Sequence, residues 1–198
     1  MITRQKNKRG CLEVVCGSMF SGKSEELIRR LRRSEIAKLN VIAFKHSLDD
    51  RKATEYVISH NGSKIKAFAI GDPKIMLDFV KDNDVVGIDE VQFFSNEIVD
   101  IILKFIDEGK RVIVAGLDLD FRGVPFGCMP ALLAFADKVT KLKAVCIECG
   151  GDAHFTQRIV NSAPAKFNDP IILVGAQESY QARCRNCYII DQKVIYQL

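Results

Sequence analysis

The stretch that most limits what this chain can fold into is Gly17-Ser18-Met19-Phe20-Ser21-Gly22-Lys23-Ser24. It follows a short apolar run carrying Leu12, Val14, Val15 and Cys16, and it opens into Glu25-Glu26-Leu27-Ile28-Arg29-Arg30-Leu31. Strand, G-x-x-x-x-G-K-[ST], helix is the order in which a phosphate-binding loop works. Its glycines let successive backbone N–H groups turn inward and cradle a di- or triphosphate at a helix N-terminus. Lys23 then reaches the β- and γ-phosphates, and the Ser24 hydroxyl faces Mg²⁺. The helix is expected to run to about Lys38, with Leu27, Ile28, Leu31 and Ile36 as its apolar face.

A second signal lies at Val85-Val86-Gly87-Ile88-Asp89-Glu90, an apolar strand ending in two acids. In a nucleotide site of this kind the first carboxylate, Asp89, holds Mg²⁺ against the phosphates, and Glu90 sits where an attacking hydroxyl must lose its proton. Val41–Phe44 is another uninterrupted apolar run, as a parallel sheet buries on both faces. The segment Tyr56–Ile70 alternates around Asn61-Gly62 and reads as a hairpin or as a strand with a mobile loop. Asp72-Pro73 starts a helix to about Lys81, and further helices are expected over Asn96–Glu108 and Pro130–Ala136. The strand Arg111–Ala115 empties into Gly116-Leu117-Asp118-Leu119-Asp120-Phe121-Arg122-Gly123-Val124-Pro125-Phe126-Gly127. Ligands of parallel α/β sheets bind outside the carboxyl ends of the strands, where this loop lies. Phe121 and Phe126 read either as pocket walls for a flat, partly polar molecule or as core.

Composition narrows the partners. The net charge of +4 comes from Arg4, Lys6, Lys8 and Arg9 in the first ten residues, which hold no acids. Of 29 basic residues those four leave 25, against 25 acidic ones, so the body is electroneutral and offers no nucleic-acid track. Arg29, Arg30, Arg32 and Arg33 surround one helix and read as a solvated or subunit-facing surface. No run approaches the roughly 20 apolar residues of a membrane span, and the start lacks a signal-peptide core, so a cytoplasmic location is expected.

Seven cysteines, an odd number, argue against a disulfide framework. Four form Cys146-x-x-Cys149 and Cys184-x-x-Cys187, the knuckles of one tetrahedral structural Zn²⁺. Cys11, Cys16 and Cys128 read as buried small apolar residues. The 34 residues between Cys149 and Cys184 become a long loop clipped at its base, the kind that serves as a lid or binding loop. Three segments follow: a basic tail at 1–10, a nucleotide-binding α/β domain at 11–140 and a zinc-binding domain at 141–198.

Taken together, GSMFSGKS at 17–24, DDR at 49–51, IDEVQFF at 88–94, GLDLDFRGVPFG at 116–127 and the two cysteine pairs resemble the type II (cytosolic) thymidine kinase family. The resemblance runs from Leu12 to Tyr188. It implies a RecA-like P-loop parallel sheet flanked by helices, with a small zinc-ribbon-like domain carrying a lasso loop. The implied reaction is transfer of the γ-phosphate of ATP to the 5′-hydroxyl of thymidine. The implied assembly is a homotetramer, with dTTP as feedback inhibitor. The resemblance extends the phosphate-binding set to Val91 and Gln92, with Arg51 steadying charge on the transferred group. It places Met19, Asp49, Phe93, Leu117, Phe121 and Phe126 around the nucleoside, with Thr156, Ile171, Leu173, Gly175 and Tyr180 on the lasso side. Two departures stand out: Asp50, where many members have a small hydroxyl residue, and the lasso segment Ser162–Pro170, with two prolines and Asn168-Asp169. Rival readings are a DNA-handling ATPase with a zinc module and a kinase for a different small acceptor. A catalytically dead homologue is opposed by the presence of Lys23, Ser24, Asp89 and Glu90.

Overall fold

The computed structural model describes residues 9–48, 56–58, 62–171 and 178–192. Strand β1 (Cys11–Cys16) turns Leu12, Val14 and Cys16 to one side of a sheet and Glu13 and Val15 to the other. It is followed by α1 (Lys23–Ile36), β2 (Val41–His46), the hairpin β3 (Tyr56–Ile58) and β4 (Lys64–Lys66), and β5 (Phe68–Ile70). A 3₁₀ turn at Pro73–Ile75 leads into the short α2 (Met76–Phe79). Then come β6 (Val85–Asp89), a 3₁₀ turn at Val91–Phe93, α3 (Glu97–Asp107), β7 (Arg111–Gly116), α4 (Met129–Phe135) and β8 (Lys138–Lys141). The main sheet has the order β5-β2-β6-β7-β1-β8, and every pairing in it is parallel.

Apolar layers cover both faces, as a parallel sheet requires. On one, Leu27, Ile28 and Leu31 of α1 pack on Val15, Ala43, Val85, Ile113 and Ala115, joined by Val57, Ile65 and Ala67 from the hairpin segment. On the other, α3 and α4 bring Ile98, Ile102, Phe105, Met129 and Leu132 onto Leu12, Val14, Ile88, Val112 and Val114. Gly87 is what lets α1 lie so close: a Cβ there would stand 2.5 Å from Leu31 Cδ1. The elements after β1 and β7, which are neighbours, cover opposite faces, so a crevice opens beyond their carboxyl ends.

Several local expectations shift. The helix α1 stops at Ile36, which is 79% exposed and lies off the apolar face. Arg30 belongs to no solvated surface: it is buried, with its guanidinium on Glu13 (2.7 Å), Glu26 (2.8 Å) and Thr140 (2.8 Å). Glu13, on the same face of β1 as Val15, also takes Arg111 at 2.7 Å. A buried charge persists when paired and hydrogen-bonded, and this network does both. Cys16 and Cys128 are buried as expected, whereas Cys11 is half-buried. The segment Tyr56–Ile70 supplies both a hairpin and an edge strand of the main sheet. Asp72 caps its turn by accepting from Lys74 N at 2.9 Å, but the helical stretch ends at Phe79.

Beyond Lys143 the stretch between the cysteine pairs is more regular than a long loop. Ala144–Val145 (β9) pairs with Asp152–Ala153 (β10). Phe155–Val160 (β11) sits between Ala163–Pro164 (β12) and Glu178–Arg183 (β13) in an antiparallel sheet. Of the residues between β12 and β13, 165–171 carry no strand and 172–177 lie outside the described residues. Ala144, Cys146, Ala153 and Ala182 form a small core there, with Cys184 and Cys187 packed against it. Among the described residues no helix is long and apolar enough to cross a membrane.

Candidate active site

Because all strands of the main sheet are parallel, Cys16, Asp89 and Gly116 end at the same edge, with β7 between β1 and β6. The loop after Cys16 turns through Gly17 (φ 144°), Phe20 (φ 66°) and Gly22 (φ 85°) before α1 begins at Lys23. A side chain at Gly17 would place Cβ 2.4 Å from the Leu142 carbonyl oxygen. Lys23, buried at the helix start, donates from Nζ to Ser18 O at 2.9 Å, and Ser21 Oγ donates to the same oxygen at 2.8 Å. The loop is thus a closed cradle with the ammonium folded over it.

Asp89 is buried at the end of β6 and accepts a hydrogen bond from Ser24. Burial pushes its carboxyl up to about 7 and the adjacent Glu90 charge adds to the rise; the Ser24 hydrogen bond and the Lys23 charge oppose it. A hydroxyl and a buried carboxylate side by side are hard oxygen ligands suited to Mg²⁺. Glu90 turns the chain through the left-handed region (φ 51°, ψ 41°) and is half-buried. Gln92 Nε2 donates to Glu90 Oε2 at 2.6 Å. Val91 is fully buried in the core, so its side chain is not available to a ligand.

The Gly116–Gly127 loop folds on its own acids. Asp120 accepts from the amides of Arg122 (2.9 Å) and Val124 (3.1 Å) and pairs with the Arg122 guanidinium at 2.6 Å. Asp118 pairs with Lys141 at 2.7 Å. These acids shape the loop, while its aromatics stand outside both main-sheet cores. Phe126 meets Phe93 edge-on at 5.6 Å. Phe121 is buried beneath the Arg158 guanidinium at 4.9 Å.

The cysteine segment reaches the cradle directly. Met19 N donates to the Thr156 hydroxyl at 3.0 Å, and Ser18 Oγ donates to Ala153 O at 3.4 Å. Tyr188, just after the second cysteine pair, donates to Phe121 O at 2.6 Å and stacks on Phe155 at 4.6 Å. Of the remaining nucleoside set, Leu117 and Tyr180 are half-buried and Ile171 is exposed. Asp49, Asp50, Arg51, Leu173 and Gly175 lie outside the described residues.

Cys146, Cys149, Cys184 and Cys187 are free thiols whose sulfurs all lie within 4.8 Å of one another. Cys149 Sγ and Cys184 Sγ stand 3.6 Å apart. Four thiolates on one tetrahedral Zn²⁺ at ~2.3 Å place sulfurs roughly 3.8 Å apart, so the cluster fits a closed structural zinc site.

Sequence reasoning had no signal for Gln92 as a partner of Glu90, for Tyr188, or for Arg158 over Phe121. Tyr188 and Arg158 act through contacts between segments distant in the chain, and Gln92, two residues from Glu90, also reaches Leu117, 25 positions away. A family model described as Thymidine kinase matches residues 10–188.

Proposed function

The protein belongs to the thymidine kinase family, and we propose that it transfers the γ-phosphate of ATP to the 5′-hydroxyl of thymidine, giving dTMP for pyrimidine deoxynucleoside salvage. The observation that carries this reading is the meeting of the Gly17–Ser24 cradle with Asp89 and Glu90, joined through the Ser24–Asp89 hydrogen bond.

In this reading the amides of Gly17 to Ser24 and the Lys23 ammonium hold the triphosphate. Ser24 and Asp89 would hold Mg²⁺, which neutralises charge developing on the phosphates. Glu90 takes the proton of the 5′-hydroxyl as that oxygen bonds to the γ-phosphorus; the bond to the bridging oxygen breaks and ADP leaves. Arg51 would steady the transferred group. Met19, Asp49, Phe93, Leu117, Phe121 and Phe126 wall the nucleoside. Thr156, Ile171, Leu173, Gly175 and Tyr180 close it from the lasso side, with Thr156 also holding the Met19 amide. Val91 and Gln92 complete the nucleotide-binding segment. The four cysteines would hold a Zn²⁺ that fixes structure and does no chemistry. We further infer segments at 1–10, 11–140 and 141–198, a cytoplasmic homotetramer and feedback inhibition by dTTP. Gly10 is already tied to the α/β body, through Ile106 O at 3.0 Å.

The test is monophosphate formation from thymidine with ATP and Mg²⁺, beside deoxyuridine, deoxycytidine and the purine deoxynucleosides. Thymidine-preferring turnover is expected. ATP binding without phosphorylation of any nucleoside would refute it, and ATP hydrolysis stimulated by DNA would favour a DNA-handling ATPase. Glu90→Gln keeps the shape and removes the base, so turnover should fall roughly 10²–10⁴-fold with ATP binding kept.

A further inference from the structure

The geometry points to Gln92 as a positioning residue that sets the Glu90 carboxylate and locks it to the start of the Gly116–Gly127 loop; this rests on Glu90 being the base. The carboxamide is buried, 2% exposed, and both its ends are used. Leu117 N donates to Oε1 at 3.0 Å, and Nε2 donates to Glu90 Oε2 at 2.6 Å. The orientation of the amide is forced. A backbone N–H can only donate, so the atom facing Leu117 is the oxygen, and the NH₂ group faces Glu90. Glu90 Oε2 is therefore the acceptor of this bond.

The surroundings leave Gln92 no other place. Glu90 sits in the left-handed region at φ 51°, which turns the chain so that the side chain two residues on comes back beneath it. Gly116 lacks the Cβ that would stand 2.6 Å from Gln92 Oε1, and Gly127 lacks one that would stand 2.4 Å from Gln92 O. The 3₁₀ turn Val91–Phe93, with Val91 fully buried, anchors the backbone beneath the amide. One rigid amide thus fixes the distance between the carboxylate that accepts the proton and the loop that begins the nucleoside wall at Leu117. In-line transfer depends on that distance, since a misplacement of ~1 Å in a reacting group costs on the order of 10²-fold in rate.

The experiment is a double-mutant cycle of Glu90→Gln and Gln92→Met, read as kcat and KM for thymidine and for ATP, with the melting temperature as a check on folding. Gln92→Met keeps the length of the side chain and removes both hydrogen bonds. It should lower kcat roughly 10–100-fold. In the Glu90→Gln background the same change should alter kcat by less than ~2-fold, because a residue acting through Glu90 has nothing left to position. Independent, multiplying losses, or an unchanged kcat in Gln92→Met, would overturn the assignment. Should Gln92→Met fail to fold, Gln92→Asn takes its place in the cycle, withdrawing the amide by one methylene under the same expectations. Retained turnover in Glu90→Gln alone would remove the base and this inference together. Loss in Glu90→Gln with no loss in the Gln92 variant would remove only the inference.

Discussion

Replacing Tyr188 by phenylalanine isolates how the cysteine segment shapes the Gly116–Gly127 loop. The change keeps the ring stacked on Phe155 at 4.6 Å and deletes the hydroxyl that donates to Phe121 O at 2.6 Å. A neutral hydrogen bond contributes about 0.5–1.5 kcal/mol net, and a buried carbonyl left without a partner raises the cost toward the top of that range or above. Tyr188 is half-buried, so about 1.5 kcal/mol is a fair figure. For a chain of this size that lowers the melting temperature by about 3–6 °C. If the same bond holds Phe121 in its substrate-binding place, the loosened loop weakens thymidine binding by at most about tenfold, since 1.4 kcal/mol is a factor of ten. The KM for ATP should stay put, because Tyr188 touches nothing in the Gly17–Ser24 cradle that an observed hydrogen bond or ring contact reveals. Burial and the Asp120 carboxylate hold the phenol ionisation well above the ordinary tyrosine value, so the donor is present from about pH 6 to 9 and the effect should be flat across that range. Thermal melts and steady-state kinetics on both substrates suffice. A fall in melting temperature with the thymidine KM unmoved would refute the argument that this bond shapes the loop.

Three further expectations follow from the packing, the cysteines and the charges. Gly87→Ala pushes a Cβ to 2.5 Å from Leu31 Cδ1 and should cost about 1–3 kcal/mol in urea denaturation; combined with Leu31→Ala the losses should be clearly less than additive, and strict additivity would show that the two do not meet. Metal analysis should find about one zinc per chain, and Cys149→Ser should lower both zinc content and thermal stability, whereas folded metal-free wild type would exclude the site. Hydrogen bonds from Arg29 and then Arg30 lower the Glu26 carboxyl from 4.5 to about 2. A depressed carboxyl stabilises the fold above its unfolded value and loses that contribution as pH falls from about 4.5 toward 2. Solvent screening limits it to about 1 kcal/mol. The stability gap between wild type and Glu26→Gln should therefore be open at pH 7 and closed near pH 2; a gap independent of pH would contradict the pairing.

Much of the site was legible in the chain itself. The Gly17–Ser24 cradle, Asp89 and Glu90 after an apolar strand, and the paired cysteines are local patterns whose chemistry depends on spacing along a few residues, so they survive without knowledge of the fold. The four inner strands follow from runs such as Val85–Ile88 and Val112–Ala115, which are apolar on both faces, whereas the edge strands β5 and β8 are short, largely exposed and carry no such run. The partners of these groups were not legible. Arg30 reads as surface because Arg29, Arg30, Arg32 and Arg33 spread over much of the helix circumference, yet Glu13 on β1, 17 positions away, draws it inside. Strands β11 and β13 are short and separated by a long insertion, so their pairing becomes visible only when they meet. The sequence alone picked out the groups proposed to hold phosphate, metal and a proton. Tertiary structure decided what holds them: Thr156 on Met19 from 137 positions away, Tyr188 on Phe121 from 67, and Gln92 bridging Glu90 to Leu117. The physical reason is that a hydrogen bond between distant segments leaves no periodic trace in either of them, so only the packed sheet can bring its donor and acceptor together.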